Sequence, residues 1–236
     1  MQTLVVRDPL AELAELEGVP SAVVSARDAV DAVLRDRGMR IVRPEQTAAA
    51  LVLGARASAE LTDEPDRWLP GCVRLSTELV QLSALIRVSP GQALARAHAL
   101  VAQGEVPDEE LGRVRSDGQV SARITGLNAL LTAATSASAV VLAAVTHAEL
   151  VAVRAFGTAD AIVARAAEHM VLVAGGVDPR AVIVPEAGHL ALRMSYEQAL
   201  LGYQGGNVAG VREWLLHCTR ALARGAELSP LAGPPR

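Results

Sequence analysis

The sequence predicts an all-α protein, and three observations carry that reading. Apolar residues recur at helical spacing through nearly every long segment, most of these segments open on Pro, Ser or Asp and close at Gly, and strand-like alternation is almost absent. Hydrophobic residues make up 51% of the 236, but aromatics only 2%, so the core must be built from Ala, Val and Leu. Small side chains of that kind suit helices packed at close range.

The elements follow in order. "PSAVVSARDAVDAVLRDRG" opens at Pro20 and Ser21 and stops at Gly38, with Val23, Ala26, Val30, Val33 and Leu34 on one face. "RPEQTAAALVLGARASAEL" starts a second helix at Pro44. "GCVRLSTELVQLSALIRV" predicts a third, closed by "SPGQ", and Pro90 opens a fourth that ends at Gly104. The polar stretch "EVPDEELGRVRSDGQVSA" has a turn at Ser116-Asp117-Gly118 and is the best place for one small β-hairpin or a flexible loop. "ARITGLNALLTAAT" follows. Ser136 to Val153 is the most apolar run, read as a buried central helix because His147 and Glu149 interrupt it and no charged flanks anchor it in a bilayer. Val141, Leu142 and Val145 are expected in its core. A helix opened by Asp160 comes next. Ala181 to Val184 is the one short strand candidate in the C-terminal part. "SYEQALLGYQGG" and a terminal helix carrying Val211, Trp214, Leu215, Cys218 and Leu222 complete the chain, and "SPLAGPPR" is expected to be disordered.

Composition excludes several functions. All 22 basic residues are arginine, so Schiff-base lysine chemistry and a phosphate-loop lysine are ruled out. The net charge of -4 and scarce aromatics argue against a nucleic-acid surface. Cys72 and Cys218 have no metal-binding spacing and read as buried free thiols of a cytoplasmic protein. The N-terminus lacks the pattern of a signal peptide.

The segment "AAVTHAELVAVRAFGTADAIVARAA" resembles the core of Fic (Fido) family proteins. That family reads His-Pro-Phe, a short spacer carrying Asp or Glu, Gly-Asn-Gly-Arg, then two residues and a second Arg, after an apolar helix that often bears a His-Ala pair, here His147-Ala148. "YEQALLGYQGGNVAGVREWLLHCTRAL" is similar to the helices after the motif, and "LGRVRSDG" to the substrate-docking flap. The resemblance implies a Fic-like helical bundle at 90–228, an N-terminal helical extension at 1–89 packed on it, and a tail at 229–236.

Position by position, the resemblance implies a degenerate motif. Arg154 stands at the place of the catalytic His, Ala155 replaces the Pro, and Phe156 is kept. Thr158 takes the acidic metal-binding place. Ala159, Asp160, Ala161 and Ile162 stand for Gly-Asn-Gly-Arg, and Arg165 keeps the second arginine. Transfer of a nucleotide monophosphate to a hydroxyl needs a base near neutral pKa, which arginine cannot supply. It needs a carboxylate for Mg²⁺, for which threonine is a weak substitute. Asp160 is expected to be an N-cap whose carboxylate takes the amides a phosphate would use. "RASAELTDEP" resembles the family's inhibitory helix, with Ser58 followed by Thr62 where a glutamate would clamp Arg165.

Other constellations are weaker. Glu186 to His189 has the Glu-x-x-His spacing of di-iron bundles, without a second copy. His147 and Glu149 could be ligands, but a histidine there is more often a hydrogen-bonded core residue. Nothing in the sequence links His98 and His217. The expected function is a Fic-fold protein that has lost AMP transfer and works as a binding or regulatory module for a protein partner, with a homodimer left open. The alternative is a divergent transferase that still binds a phosphorylated ligand through Arg154 and Arg165. No metal, cofactor, nucleic acid or membrane is expected.

Overall fold

The computed structural model describes residues 8–35 and 42–232. Its centre is the helix over Ala139–Val153, buried on nearly every side because its sequence is apolar on every side. Val141, Leu142 and Val145 lie in the core as expected. In chain order the helices are α1 (Pro9–Ala14), α2 (Val19–Arg35), α3 (Pro44–Glu60), α4 (Pro65–Leu85), α5 (Pro90–Ala102), α6 (Gly118–Thr132), α7 (Ala139–Val153), α8 (Asp160–Ala174), α9 (Pro185–Ala191), α10 (Arg193–Gln204) and α11 (Val208–Glu227). Prolines stand in the first turn of α1, α3, α4, α5 and α9, where a missing N–H costs nothing.

Helix α8 packs along α7, and α4 and α5 pack on α8. Helix α11 lies against α2, α9, α10 and α7, joined to α7 by the Trp214 Nε1–H donated to the Ala144 carbonyl at 2.8 Å. One hydrophobic core runs from Leu10 to Leu231, so the segments before and after residue 90 share it.

Four expectations need correction. Helix α4 begins at Pro65 rather than Gly71; Pro70 lies inside it, in the second turn, at the cost of the bond an N–H there would make to the Asp66 carbonyl. The strand over Ala181–Val184 does not form. Asp178 Oδ2 accepts from both the Val182 and Ile183 amides at 2.7 Å, and the Val184 amide donates to the Gly225 carbonyl, so no ladder partner is needed. No hairpin forms among the described residues of 103–118: a single bridge joins Gln103 and Val106, a 3-10 turn spans Asp108–Glu110, and the remainder docks on other elements. The tail is ordered through residue 232. Ser229 Oγ donates to the Val182 carbonyl at 2.7 Å and Leu231 is buried. Gly38 and residues 233–236 lie outside the described residues. No helix among the described residues is long and apolar enough to cross a membrane. Both cysteines are buried and unpaired.

Candidate functional site

The turn between α7 and α8 is built on left-handed backbone at Arg154 (φ 50°), Gly157 (φ 79°) and Ala159 (φ 54°). Arg115 holds it. Its amide donates to the Ala155 carbonyl and its Nε to the Arg154 carbonyl, both at 2.8 Å, and Nη2 reaches the Val153 carbonyl at 3.3 Å. A cation is well placed on the last carbonyls of a helix. The segment similar to the docking flap is therefore packed on this turn. Phe156 stacks on His98, with centroids 4.3 Å apart, and His98 Nδ1 accepts from the Gly112 amide at 2.9 Å.

Asp160 is buried at the first position of α8, one residue past the place expected of a cap; the N-cap is Ala159. The carboxylate turns back and accepts from the Phe156 amide at 2.8 Å, so it still takes an N–H of the turn. Burial raises its pKa against the lowering effect of the Phe156 and Gly157 amides and of the nearby Arg154 and Arg115. A cleft of about 610 Å³ opens beside it, lined by Thr62, Asp63, Glu64, Arg154, Asp160 and Gln204 among others. Arg154 is exposed on its wall. Thr158 is half-buried and does not line it.

Arg165 is absent from this cleft. It is 1% exposed, with Nε on Ser58 Oγ at 2.9 Å, Nη2 on the Ser58 carbonyl at 2.8 Å and Nη1 on Tyr196 Oη at 3.3 Å. The two arginines paired in the sequence reading are separated by the structure. Ser58, on the helix similar to the inhibitory one, is what grips Arg165.

Tyr196 continues a buried chain that sequence reasoning missed. Tyr196 Oη meets His147 Nε2 at 3.0 Å, and His147 Nδ1 meets Glu168 Oε2 at 2.5 Å. His189 Nε2 reaches the same Glu168 oxygen at 2.8 Å, its Nδ1 meets His217 Nε2 at 3.0 Å, and His217 Nδ1 meets Ser195 Oγ at 3.1 Å. His189 therefore belongs with Glu168, whereas Glu186 pairs with His169 at 2.9 Å, so the Glu-x-x-His spacing builds no shared site. Glu149 faces elsewhere, accepting from Tyr203 and Arg123. His217, unlinked in the sequence, sits inside the chain.

The partners assign the protons. Arginine only donates, so Tyr196 accepts from Arg165 and passes its own hydroxyl proton to His147 Nε2. His147 is then a neutral ring carrying its proton on Nδ1, aimed at Glu168. His147, Glu168 and His189 place one ligand atom each within 4.8 Å of one another, as a metal site would.

Burial holds His147 down at about 4 and His217 at about 3. Burial alone would raise Glu168, but His189 and His147 outweigh it and hold the carboxyl below its usual range. The two imidazoles titrate near 6.5 when unfolded. Below that value the unfolded chain takes up protons that the folded chain refuses, so stability falls as pH drops from about 6.5 toward 4, and the Glu168 contribution goes at still lower pH. His169 works in the other direction: burial lowers it, but Glu186 and its neighbours raise it overall, so its contribution is lost as pH rises. The net expectation is a loss on the order of a few kcal/mol between pH 7 and 4.5, read from urea midpoints. Equal midpoints would show that the histidines are not held neutral.

Comparison with solved structures finds a Fic family protein from Desulfovibrio desulfuricans G20. It matches with a TM-score of 0.63 and 16% identity, over 86% of this chain and 73% of that chain. The chain has a Fic-like fold. No protein-family model matches it, and no curated protein does.

Proposed function

We propose that this Fic-fold chain does not transfer nucleotides and is a binding module, its cleft at the α7–α8 turn taking a basic segment of a partner protein. The observation that carries the reading is Asp160, whose carboxylate occupies the Phe156 amide inside the turn. An anion entering there meets a carboxylate in place of a free N–H. The cleft adds Asp63 to Asp160 against the single lining cation Arg154, with Glu64 paired to Arg67, so it favours a cationic guest. The competing reading, a phosphorylated ligand held by Arg154 and Arg165, loses its second arginine to Ser58 and Tyr196.

At the place of the catalytic base stands Arg154, which stays charged and cannot accept the hydroxyl proton. A general base alone typically contributes about 10²–10⁴ in rate. Incubation with radiolabelled ATP and Mg²⁺ is expected to leave the protein and candidate acceptor proteins unlabelled. Incorporation of AMP by the parent protein that depends on Mg²⁺ would overturn the proposal.

A further inference from the structure

A second cleft, of about 450 Å³, opens between α10 and α11, lined by Ser195, Gln198, Gly202, Asn207, Glu213 and Arg220 among others. Behind Ser195 lies the outer half of the buried chain: His217 Nδ1 at 3.1 Å, then His189 at 3.0 Å from His217, then Glu168 at 2.8 Å from His189. We propose that Ser195 is a nucleophile in a Ser195–His217–His189–Glu168 relay that cleaves small carboxylic esters by acyl transfer.

The direction of the Ser195 hydroxyl decides whether the relay can run. Its one proton can go to His217 Nδ1 or to the Leu192 carbonyl at 3.0 Å. That carbonyl already accepts from the Tyr196 amide. If the proton went there, every donor in the outer chain would reverse, and His189 would have to be an imidazolium to keep an N–H on Glu168. The positive charge of Arg165 already balances Glu168 within the network, so a second buried cation would stand uncompensated. Charge balance therefore places the serine proton on His217, the His217 Nε2–H on His189 and the His189 Nε2–H on Glu168. Nucleophile, base and orienting groups then stand within hydrogen-bond reach in the required order.

His217 alone is a weak base, since burial disfavours its charged form. The relay removes that difficulty. As Ser195 Oγ bonds to the acyl carbon, its proton moves to His217 Nδ1 and the His217 Nε2 proton moves to His189 Nδ1. The positive charge thus forms on His189, beside the Glu168 carboxylate, and is compensated as it forms by the negative charge developing on the acyl oxygen. The carbonyl electron pair shifts onto its oxygen, and Arg220, three residues beyond His217 on α11, lines the cleft as a cation for that charge. Arg220 makes no hydrogen bond or ion pair among the described residues. When the electron pair returns, the ester C–O bond breaks, the leaving alkoxide takes the proton from His217 Nδ1, and His189 Nδ1 returns its proton to His217 Nε2. Water repeats the sequence on the acyl-serine and releases the acid.

The test uses the full chain and a fluorophosphonate probe, with the labelled peptide identified by mass spectrometry. Labelling is expected at Ser195 and absent from Ser195→Ala, a half-buried position at the cleft wall where the change leaves the hydrophobic core intact. Hydrolysis of p-nitrophenyl acetate should fall at least about 10²-fold in the same variant. No label in the wild-type protein under conditions that label a serine esterase would overturn the proposal, as would label at another residue or equal hydrolysis by Ser195→Ala.

Discussion

Arg165→Ala is expected to cost about 3–5 kcal/mol, enough to leave much of the protein unfolded. The guanidinium is buried and balances Glu168 through Tyr196 and His147, and it ties α8 to the end of α3 through Ser58. Removing it leaves a buried carboxylate without its counter-charge and the Ser58 carbonyl without a donor. Arg165→Lys should recover little, because one ammonium cannot reproduce a planar fork that meets Ser58 twice and Tyr196 once. Arg154→Ala is the matched control. Arg154 is exposed and its side chain holds no hydrogen bond among the described residues, so its loss should stay within about 0.5 kcal/mol. Urea unfolding of the three variants measures the contrast. Equal losses for Arg154→Ala and Arg165→Ala would contradict the division of roles between them.

Gly188→Ala is expected to be comparably damaging. A Cβ on Gly188 would lie 1.8 Å from the Ala221 carbonyl oxygen, and one on Gly225 would lie 2.4 Å from the Val184 carbonyl oxygen. Both clashes are with backbone, which no rotamer change relieves. Helix α9 must therefore lift off α11, carrying Glu186 and His189 away from His169 and Glu168. Overpacking of this kind should cost about 3 kcal/mol or more. Gly126→Ala is the control on α6, where a Cβ meets nothing within 4 Å; it should stabilise by about 0.5–1 kcal/mol through helix propensity and chain entropy. Thermal melts of the two variants give opposite signs if the close crossing is as described.

The helices were legible because each carries its own local signals. Pro44 and Pro90 mark starts, and the uniform apolarity of Ala139–Val153 marks the centre. The α7–α8 turn was legible as a turn with a carboxylate in it, but the amide that Asp160 takes is that of Phe156 and not one at the start of α8. The expected cap is not made: the N-cap is Ala159, in left-handed backbone, α8 has no side-chain cap bond, and the Asp160 carboxylate turns back to an amide ahead of the helix. The strand at Ala181–Val184 failed because a side chain, Asp178, supplied what a neighbouring strand would have. The polar chain was not legible, because its links join residues far apart in sequence, 107 positions in the case of Ser58 and Arg165. One signal was present. Histidines set in strongly apolar helices must find buried partners, and Glu168, equally out of place on an apolar face, was the partner to seek.

The occupied turn is tested most directly by anion binding. Asp160→Asn keeps an oxygen for the Phe156 amide and removes the charge, so stability should change by less than about 1 kcal/mol. Arg154, the cation that lines the cleft, then no longer has the Asp160 charge beside it, and Arg115 stands behind the turn on its carbonyls. In a thermal-shift titration with sulfate, phosphate or ATP, the parent protein should show no concentration-dependent rise in melting temperature, and the variant should show one, because a ligand bound only by the folded form raises stability with its concentration. A clear response from the parent, equal to that of Asp160→Asn, would mean that the turn is still open to anions and that Asp160 does not fill it.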